Sequence, residues 1–151
     1  MHWDEFSDWG AKISQWAADY HKNLRNRPVR AQTEPGDVAA LITQSAPEGP
    51  QSMEEIMADF ERVVMPGMTH LQHPRFFAYS PANAAPPSMF AEMLVSTIAA
   101  QCMPWQTSQA ATDMESVMLD WLRQATCLSS KLSGVIQDPH PAATVAAVLA
   151  S

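Results

Sequence analysis

The sequence predicts a mostly α-helical chain that ends in the opening of an α/β domain. Apolar residues recur every three or four positions over much of the chain, which is the spacing of amphipathic helices. Two Ser/Thr-x-x-Glu motifs, at Ser52 and Thr112, predict capping boxes at helix N-termini. A predicted strand over 133–137 leads into a helical run over 142–151, which is the order of elements in a βα unit.

The first predicted helix runs from Trp3 to the region 25–28, and its apolar stripe is mainly aromatic. Such a stripe requires a surface that covers it, and this surface belongs either to a partner subunit or to the same chain. The sequence does not distinguish the two arrangements. The stripe consists of Trp3, Phe6, Trp9, Ile13, Trp16, Tyr20 and Leu24.

Proline and glycine delimit the later elements. They predict a short helix over 38–42 and a second amphipathic helix that starts after Ser52 and stops at Pro66-Gly67. The remaining predicted elements are a short strand over 75–79, a helix from about Ser88 to Cys102, a helix from Thr112 to about Cys127, and the strand and helix named above.

Composition excludes several classes of function. The chain has 151 residues, 46% of them apolar, which suits one domain with a real core. Its net charge of -7 argues against a nucleic-acid partner. We expect a cytoplasmic protein without membrane attachment, because no signal peptide or membrane span is recognisable. Cys102 and Cys127 lie in apolar helical contexts and predict buried, reduced thiols.

Residues 69–83, THLQHPRFFAYSPAN, carry the most distinctive chemistry of the chain. A connecting segment this rich in proline, histidine and aromatic residues predicts the lining of a cleft or an interface. His70 and His73 have the spacing of helical metal ligands, but Pro74 and the lack of a third ligand argue against a metal, and none is predicted. The sequence contains no serine-hydrolase, P-loop or dinucleotide-binding motif.

Several ungapped blocks carry a family resemblance: Glu34-Pro35-Gly36, Val64-Met65-Pro66-Gly67 with Thr69-His70, His73-Pro74-Arg75-Phe76-Phe77-Ala78-Tyr79, Trp105, residues 110–115, Leu119-Asp120-Trp121-Leu122 and Gly134-Val135-Ile136-Gln137. In this order they resemble the N-terminal region of the pyridoxal-phosphate-dependent group II amino acid decarboxylases, the family that includes aromatic-L-amino-acid decarboxylase. The resemblance covers nearly the whole chain.

The resemblance implies a large α/β domain of the aspartate aminotransferase type that binds pyridoxal 5'-phosphate. Residues 1–85 are then expected to form an N-terminal helical segment that wraps the partner of a homodimer. Residues 86–151 are expected to begin the cofactor domain, so the chain looks truncated. The family's Schiff-base lysine, its aspartate partner of the ring nitrogen and its stacking histidine fall beyond Ser151, and no catalytic residue is assigned within the chain.

The resemblance assigns seven residues to the substrate pocket. They match the family's two pocket segments and its Thr-His pair, and they are Tyr79, Ser80, Pro81, Ala82, Met103, Trp105 and His70. Ser80 and Met103 stand where many relatives carry other side chains, so the exact substrate stays open. Simple core packing is the alternative role for Tyr79, Trp105 and His70.

Pro139, His140 and Pro141 align with the family's phosphate-binding turn. That turn uses small hydroxyl residues and backbone N–H groups at a helix N-terminus. The two prolines remove two backbone donors and both hydroxyls, which leaves His140 and the amides of Ala142 and Ala143 as contributors.

The resemblance implies decarboxylation of an aromatic L-amino acid to the amine and carbon dioxide, with this chain as an inactive N-terminal portion. One alternative is a non-catalytic helical interaction module or a pseudoenzyme remnant. Another keeps the fold and changes the chemistry to that of an aromatic aldehyde synthase, or the substrates to acidic or diamino acids.

Overall fold

The computed structural model describes residues 1–43, 45–79, 84–102, 105–137 and 140–150. Its internal contacts divide the chain into two compact units, Met1–Ala84 and Ala85–Ser151. Every regular element in these described ranges is helical. The prediction of a mostly α-helical chain is therefore confirmed.

The first unit contains three helices. The predicted periodicity of the first and second amphipathic helices is confirmed, and the short helix between them starts one residue earlier than predicted. Their bounds are α1 Trp3–Asn23 followed by a 3-10 turn Leu24–Asn26, α2 Asp37–Leu41, and α3 Met53–Asp59 continued by a π-helical turn Phe60–Val64 and a 3-10 turn Met65–Gly67.

Local sequence sets the ends of these helices. At the start of α3 the Glu55 N–H donates to Ser52 Oγ at 3.2 Å, and the Ser52 N–H donates to Glu55 Oε2 at 2.8 Å, so the predicted capping box is formed. At its end, a Cβ on Gly67 would lie 2.8 Å from Val38 Cγ2. Glycine at this position therefore allows α2 to pack closely against the end of α3.

The aromatic stripe of α1 packs largely within its own unit. The Trp16 ring meets the Phe60 ring edge-on at 5.3 Å, and its indole N–H donates to Glu61 Oε1 at 2.7 Å. Trp9 is buried, whereas Trp3 is 77% exposed. The middle of the stripe thus has an intrachain partner, and its N-terminal end has none among the described residues.

Two histidines are among the most buried residues of the first unit. His70 exposes 5% of its surface and His73 exposes 2%. These fractions are as low as those of the apolar residues Leu24 and Val63. Burial, together with the charge of Arg27 and the neighbouring His73, lowers the pKa of His70. The core of this unit is therefore partly polar and depends on hydrogen bonds.

The second unit contains α4 Pro86–Ile98, a 3-10 turn Trp105–Thr107, α5 Gln109–Ala125 and α6 His140–Ala150. α4 ends four residues before the predicted Cys102, because Ala99 adopts a left-handed conformation with φ 48°. The predicted capping box at Thr112 is wrong: α5 begins earlier, and Thr112 Oγ1 donates to the Ser108 carbonyl at 3.2 Å.

Both predicted strands are wrong within the described residues. Residues 75–79 come at the end of a series of turns and form no strand. The Phe76 N–H donates to the His73 carbonyl at 2.9 Å. Residues 133–137 are irregular, and the Ile136 N–H donates to Glu115 Oε1 at 2.7 Å. A strand requires a neighbouring strand to pair with, and these ranges contain none.

Cys102 and Cys127 are free and exposed, so the prediction that they are buried is wrong. Among the helices of the described ranges, no segment combines the length and apolar character needed to cross a membrane.

The structure leaves much apolar surface uncovered. The chain exposes 12549 Å², whereas two separate compact units of its total mass of 16.6 kDa would together expose about 9,000 Å². The excess includes large side chains on α4 and α5, among them Phe90, Leu94, Ile98, Met114 and Trp121. These faces require a cover that the described residues do not provide.

We expect the substitution His70→Asn to flatten the dependence of stability on pH. Because the folded state holds the pKa of His70 below its ordinary value of 6.5, the unfolded state binds this proton more readily. The free energy of unfolding of the parent protein should therefore fall as the pH drops below about 6.5, by at most about 1.4 kcal/mol per pH unit for this group. Denaturant unfolding of both proteins between about pH 7.5 and about pH 5 measures the difference in slope.

Val63→Ala is the control for this comparison, because Val63 is equally buried and does not titrate. It should lower stability at every pH and keep the slope of the parent. Identical slopes in the parent and the His70 variant would contradict the role of His70.

Candidate functional site

A turn over residues 69–76 is fixed against the connector that follows α1. The His70 N–H donates to the Val29 carbonyl at 2.9 Å, and the Ala31 N–H donates to Thr69 Oγ1 at 3.4 Å. One step further along, the Gln32 N–H donates to the Pro66 carbonyl at 3.3 Å. These bonds hold two segments together that lie some forty residues apart in the sequence.

His70 connects this turn to α1. Its Nδ1 and the Tyr20 hydroxyl lie 2.8 Å apart in a hydrogen bond, and the two ring centroids are 5.5 Å apart. Burial raises the pKa of Tyr20, and the charge of Arg27 opposes this effect. Tyr20 and His70 are therefore both neutral near pH 7, which suits a hydrogen bond that is largely removed from water.

His73 uses both of its ring nitrogens. Its Nδ1 accepts a hydrogen bond from the Arg75 N–H at 3.0 Å, so the hydrogen of the neutral ring lies on Nε2. Nε2 lies 3.3 Å from the Arg25 carbonyl and donates to it. The imidazole therefore links its own turn to the 3-10 turn at the end of α1.

Arg27 lies next to this pair of histidines. Its guanidinium carbon is 5.1 Å from the centroid of the Tyr20 ring, a cation–π distance. Its Nε is buried and has no hydrogen-bond partner in the part of the chain that the structure describes. The positive charge disfavours a second charge on His70, which is consistent with the lowered pKa of that imidazole.

The aromatic segment that follows the turn faces solvent within its unit. Phe77 is 91% exposed and Tyr79 is 92% exposed. Tyr79 has φ 58°, a left-handed conformation that is uncommon for a residue with a Cβ, and its ring lies 6.2 Å from that of Phe76. Core packing is thus not the role of Tyr79 in this unit. Ser80, Pro81 and Ala82 lie outside the described residues.

Trp105 belongs to the second unit and is 52% exposed. It begins the short 3-10 turn before α5, where Thr107 Oγ1 donates to the Gln101 carbonyl at 2.8 Å. Met103 lies outside the described residues. Because Trp105 is only half covered, it is available for a contact beyond its own unit.

The predicted phosphate turn leads into α6. His140 is the first residue of this helix and Pro141 the second, a position that tolerates proline because the first N–H groups of a helix have no intrahelical acceptor. Asp138 and Pro139 lie outside the described residues. The segment before them is held to α5 by the bond between Glu115 and the Ile136 N–H, and Gly134 lies against Leu119.

The second unit also has an open cavity of about 320 Å³ between α5 and the segment that follows it. Leu119, Asp120, Arg123, Leu128 and Leu132 contribute to its walls, and none of the predicted site residues that the structure describes does. No group of three or more metal-binding side chains occurs in the ranges given above.

Sequence reasoning missed the polar partners of the histidines. The periodicity places Tyr20 in the apolar stripe of α1, and it gives Arg25 and Arg27 no role at the site. One signal was present, because a tyrosine buried on a helix face usually requires a partner for its hydroxyl. Nothing local pointed to Glu115 as the acceptor for Ile136, since the motif with Thr112 predicted a different bond.

Comparisons with known proteins identify a family model and relatives that match this chain. The model of the pyridoxal-dependent decarboxylase conserved domain matches residues 35–151. Aromatic-L-amino-acid decarboxylase of Cavia porcellus is 39% identical over 159 aligned positions, which cover 100% of this chain and 33% of the relative. The chain thus spans about a third of the length of that relative.

Two crystal structures are similar to the chain. That of Catharanthus roseus tryptophan decarboxylase in complex with L-tryptophan has a TM-score of 0.86 and 32% identity, covering 93% of this chain and 30% of that one. That of Rhodiola rosea 4-hydroxyphenylacetaldehyde synthase has a TM-score of 0.80 and 32% identity, covering 86% and 28%. With a family model that matches most of its length and a curated relative above 30% identity, this chain belongs to the pyridoxal-dependent decarboxylase family.

Proposed function

We propose that the chain is the N-terminal portion of a pyridoxal-phosphate-dependent enzyme that decarboxylates aromatic L-amino acids. The observation that carries this proposal is the match of residues 35–151 to the decarboxylase domain. The reaction releases carbon dioxide from the α-carbon, a proton takes its place, and the product is the amine. When bound, the cofactor supplies the electron sink for this step.

The role of the first unit in this enzyme is to bind and orient the substrate. Tyr79 presents an almost fully exposed ring at the end of a turn that is fixed by buried hydrogen bonds. An aromatic wall on a rigid support favours an aromatic substrate ring. We propose that Tyr79, with Ser80, Pro81 and Ala82, forms this wall, that Met103 and Trp105 contribute a second one, and that His70 supports the first.

The residues at the start of α6 fit part of a cofactor site. The N–H group of Ala142 lies in the first turn of an eleven-residue helix, where it lacks an intrahelical acceptor. A helix N-terminus of this kind favours a phosphate dianion. We propose that the turn Pro139, His140 and Pro141 leads the chain to this position, with the remaining phosphate donors supplied from outside this chain.

The chain does not contribute the lysine that holds the cofactor. Lys12 lies 3.7 Å from Glu54 and over the Trp9 ring, Lys22 lies 3.6 Å from Asp19, and Lys131 is exposed. All three lysines are surface residues, which supports the proposal that the catalytic lysine belongs to a part of the enzyme not included in these residues.

We also propose that the enzyme is a cytoplasmic homodimer. Trp3 is 77% exposed at the N-terminal end of α1, and its ring lies 5.4 Å from that of Phe6. Exposed aromatic residues of this size are typical of protein interfaces. The two free cysteines favour a reducing compartment.

One alternative has a specific observation in its favour. The similarity to an aldehyde synthase means that the fold of this chain is compatible with oxidative conversion of an aromatic amino acid to the aldehyde. A non-catalytic interaction module is the other alternative, and the large exposed apolar faces of α4 and α5 are compatible with it.

We expect the full-length protein with added pyridoxal 5'-phosphate to convert L-tyrosine or L-tryptophan to the amine and one equivalent of carbon dioxide. Consumption of dioxygen with release of the aldehyde would instead identify the synthase chemistry. The triple variant Lys12→Ala, Lys22→Ala, Lys131→Ala should keep its activity, because none of these side chains holds the cofactor. Absence of both products and of cofactor binding would leave the interaction module as the function.

We expect Trp3→Glu to weaken the dimer. Burying a charge in place of an interface tryptophan costs about 2 kcal/mol or more, which raises the dissociation constant by at least about thirtyfold. Analytical ultracentrifugation over a range of concentrations measures this change. Ala11→Glu is the control, since Ala11 lies on α1 in the exposed row with Asp4, Asp8 and Gln15. An unchanged dimer in the Trp3 variant would remove this end of α1 from the interface.

A further inference from the structure

We propose that His73, assisted by His70, is a positioning residue for the aromatic segment Phe76–Tyr79 and thereby sets the affinity of the enzyme for an aromatic substrate. The statement about affinity rests on the proposed function. The statement about the segment rests on the hydrogen bonds of the first unit alone.

The imidazole of His73 acts as a bridge of fixed length. One nitrogen accepts from the Arg75 N–H at 3.0 Å, and the other donates to the Arg25 carbonyl at 3.3 Å. Both bonds are partly shielded from water, because His73 exposes only 2% of its surface. Leaving a buried ring nitrogen without a hydrogen-bond partner costs free energy, so both bonds are favoured in the folded state.

His70 provides a second, independent attachment of the same turn. Its backbone N–H bonds to the Val29 carbonyl at 2.9 Å, and its ring bonds to the Tyr20 hydroxyl at 2.8 Å. The turn is thus attached to the connector by the backbone, to the 3-10 turn at the end of α1 by His73, and to α1 itself by the ring of His70. A segment held at three points has little freedom to rotate.

The end of the aromatic segment depends on this attachment because Phe77 and Tyr79 are more than 90% exposed and their side chains pack little against their own unit. The Phe76 N–H bonds to the His73 carbonyl at 2.9 Å, and three residues later Tyr79 stands 92% exposed with φ 58°. A non-glycine residue keeps a left-handed conformation only when the surrounding backbone determines it. With so little packing on the ring, the direction of Tyr79 follows from the backbone that His73 fixes.

Three substitutions of His73 separate its two bonds. Asn places an amide oxygen near the position of Nδ1, so His73→Asn retains the acceptor for the Arg75 N–H. Gln places an amide nitrogen near the position of Nε2, so His73→Gln retains the donor to the Arg25 carbonyl. His73→Ala removes both. Val63→Ala is the matched control, since Val63 is 6% exposed in the same unit and makes no hydrogen bond through its side chain.

The first measurement is amide hydrogen exchange of the full-length protein at Arg75 and Phe76, which needs no catalytic activity. We expect exchange at these two amides to be at least about tenfold faster in His73→Ala than in the parent, because about 1.4 kcal/mol of local stability corresponds to a factor of ten. His73→Asn should keep the Arg75 amide protected. Val63→Ala should not accelerate exchange at Arg75 and Phe76 more than at other amides of the first unit.

The second measurement is steady-state kinetics of the holoenzyme with L-tyrosine or L-tryptophan. We expect His73→Ala to raise KM about tenfold while kcat changes less than about threefold, since the wall for the aromatic ring moves and the cofactor does not. The Asn and Gln variants should lie between Ala and the parent. If His73→Ala does not fold, these two variants carry the comparison, because each retains one of the bonds.

The two measurements distinguish the possible failures. Unchanged exchange at Arg75 and Phe76 would overturn the positioning role whatever the enzyme does. Faster exchange with an unchanged KM, or with parallel losses in KM, kcat and stability like those of Val63→Ala, would overturn the effect on substrate affinity. Faster exchange in a protein that shows no decarboxylation of any aromatic amino acid would leave the attachment intact and reject the proposed function.

Discussion

The attachment of the 69–76 turn to the end of α1 is the constraint on which the first unit depends. The apolar core of this unit is small, and two of its most buried residues are histidines. Burial of polar rings is favourable only when their nitrogens are hydrogen-bonded. The position of the turn is therefore specified by a few directional bonds rather than by the volume of its core.

The π-helical turn over Phe60–Val64 brings the end of α3 against α1. A π turn inserts one residue into the helical repeat and so rotates the side chains that follow. Phe60 meets the Trp16 ring, Glu61 accepts from the Trp16 indole, and Val63 is buried. Two contacts with Trp16 and one buried residue thus fall within four positions, after which Pro66 ends the helix and the chain enters the histidine turn.

Most predictions that rest on a local pattern are confirmed, and those that require a distant partner are wrong. Helical periodicity and the Ser52 capping box depend on neighbours within a few residues, and both are present. The strands over 75–79 and 133–137 needed pairing partners. The Thr112 motif competed with an earlier helix start, which left Glu115 to bond Ile136. The link between Tyr20 and His70 joins residues fifty positions apart, which no local pattern encodes.

The same contrast between local and distant contacts bears on the proposed substrate wall. Tyr79 and Trp105 are exposed, and α4 and α5 keep wide apolar faces in contact with water. Uncovered apolar area of this extent is unfavourable in proportion to its size, so these surfaces gain stability only when further protein covers them. A binding wall that is rigid before it is covered loses little conformational entropy when the pocket closes around a substrate. In the proposed enzyme, the buried histidines would provide that rigidity from within the first unit, and the covering protein would enclose the substrate.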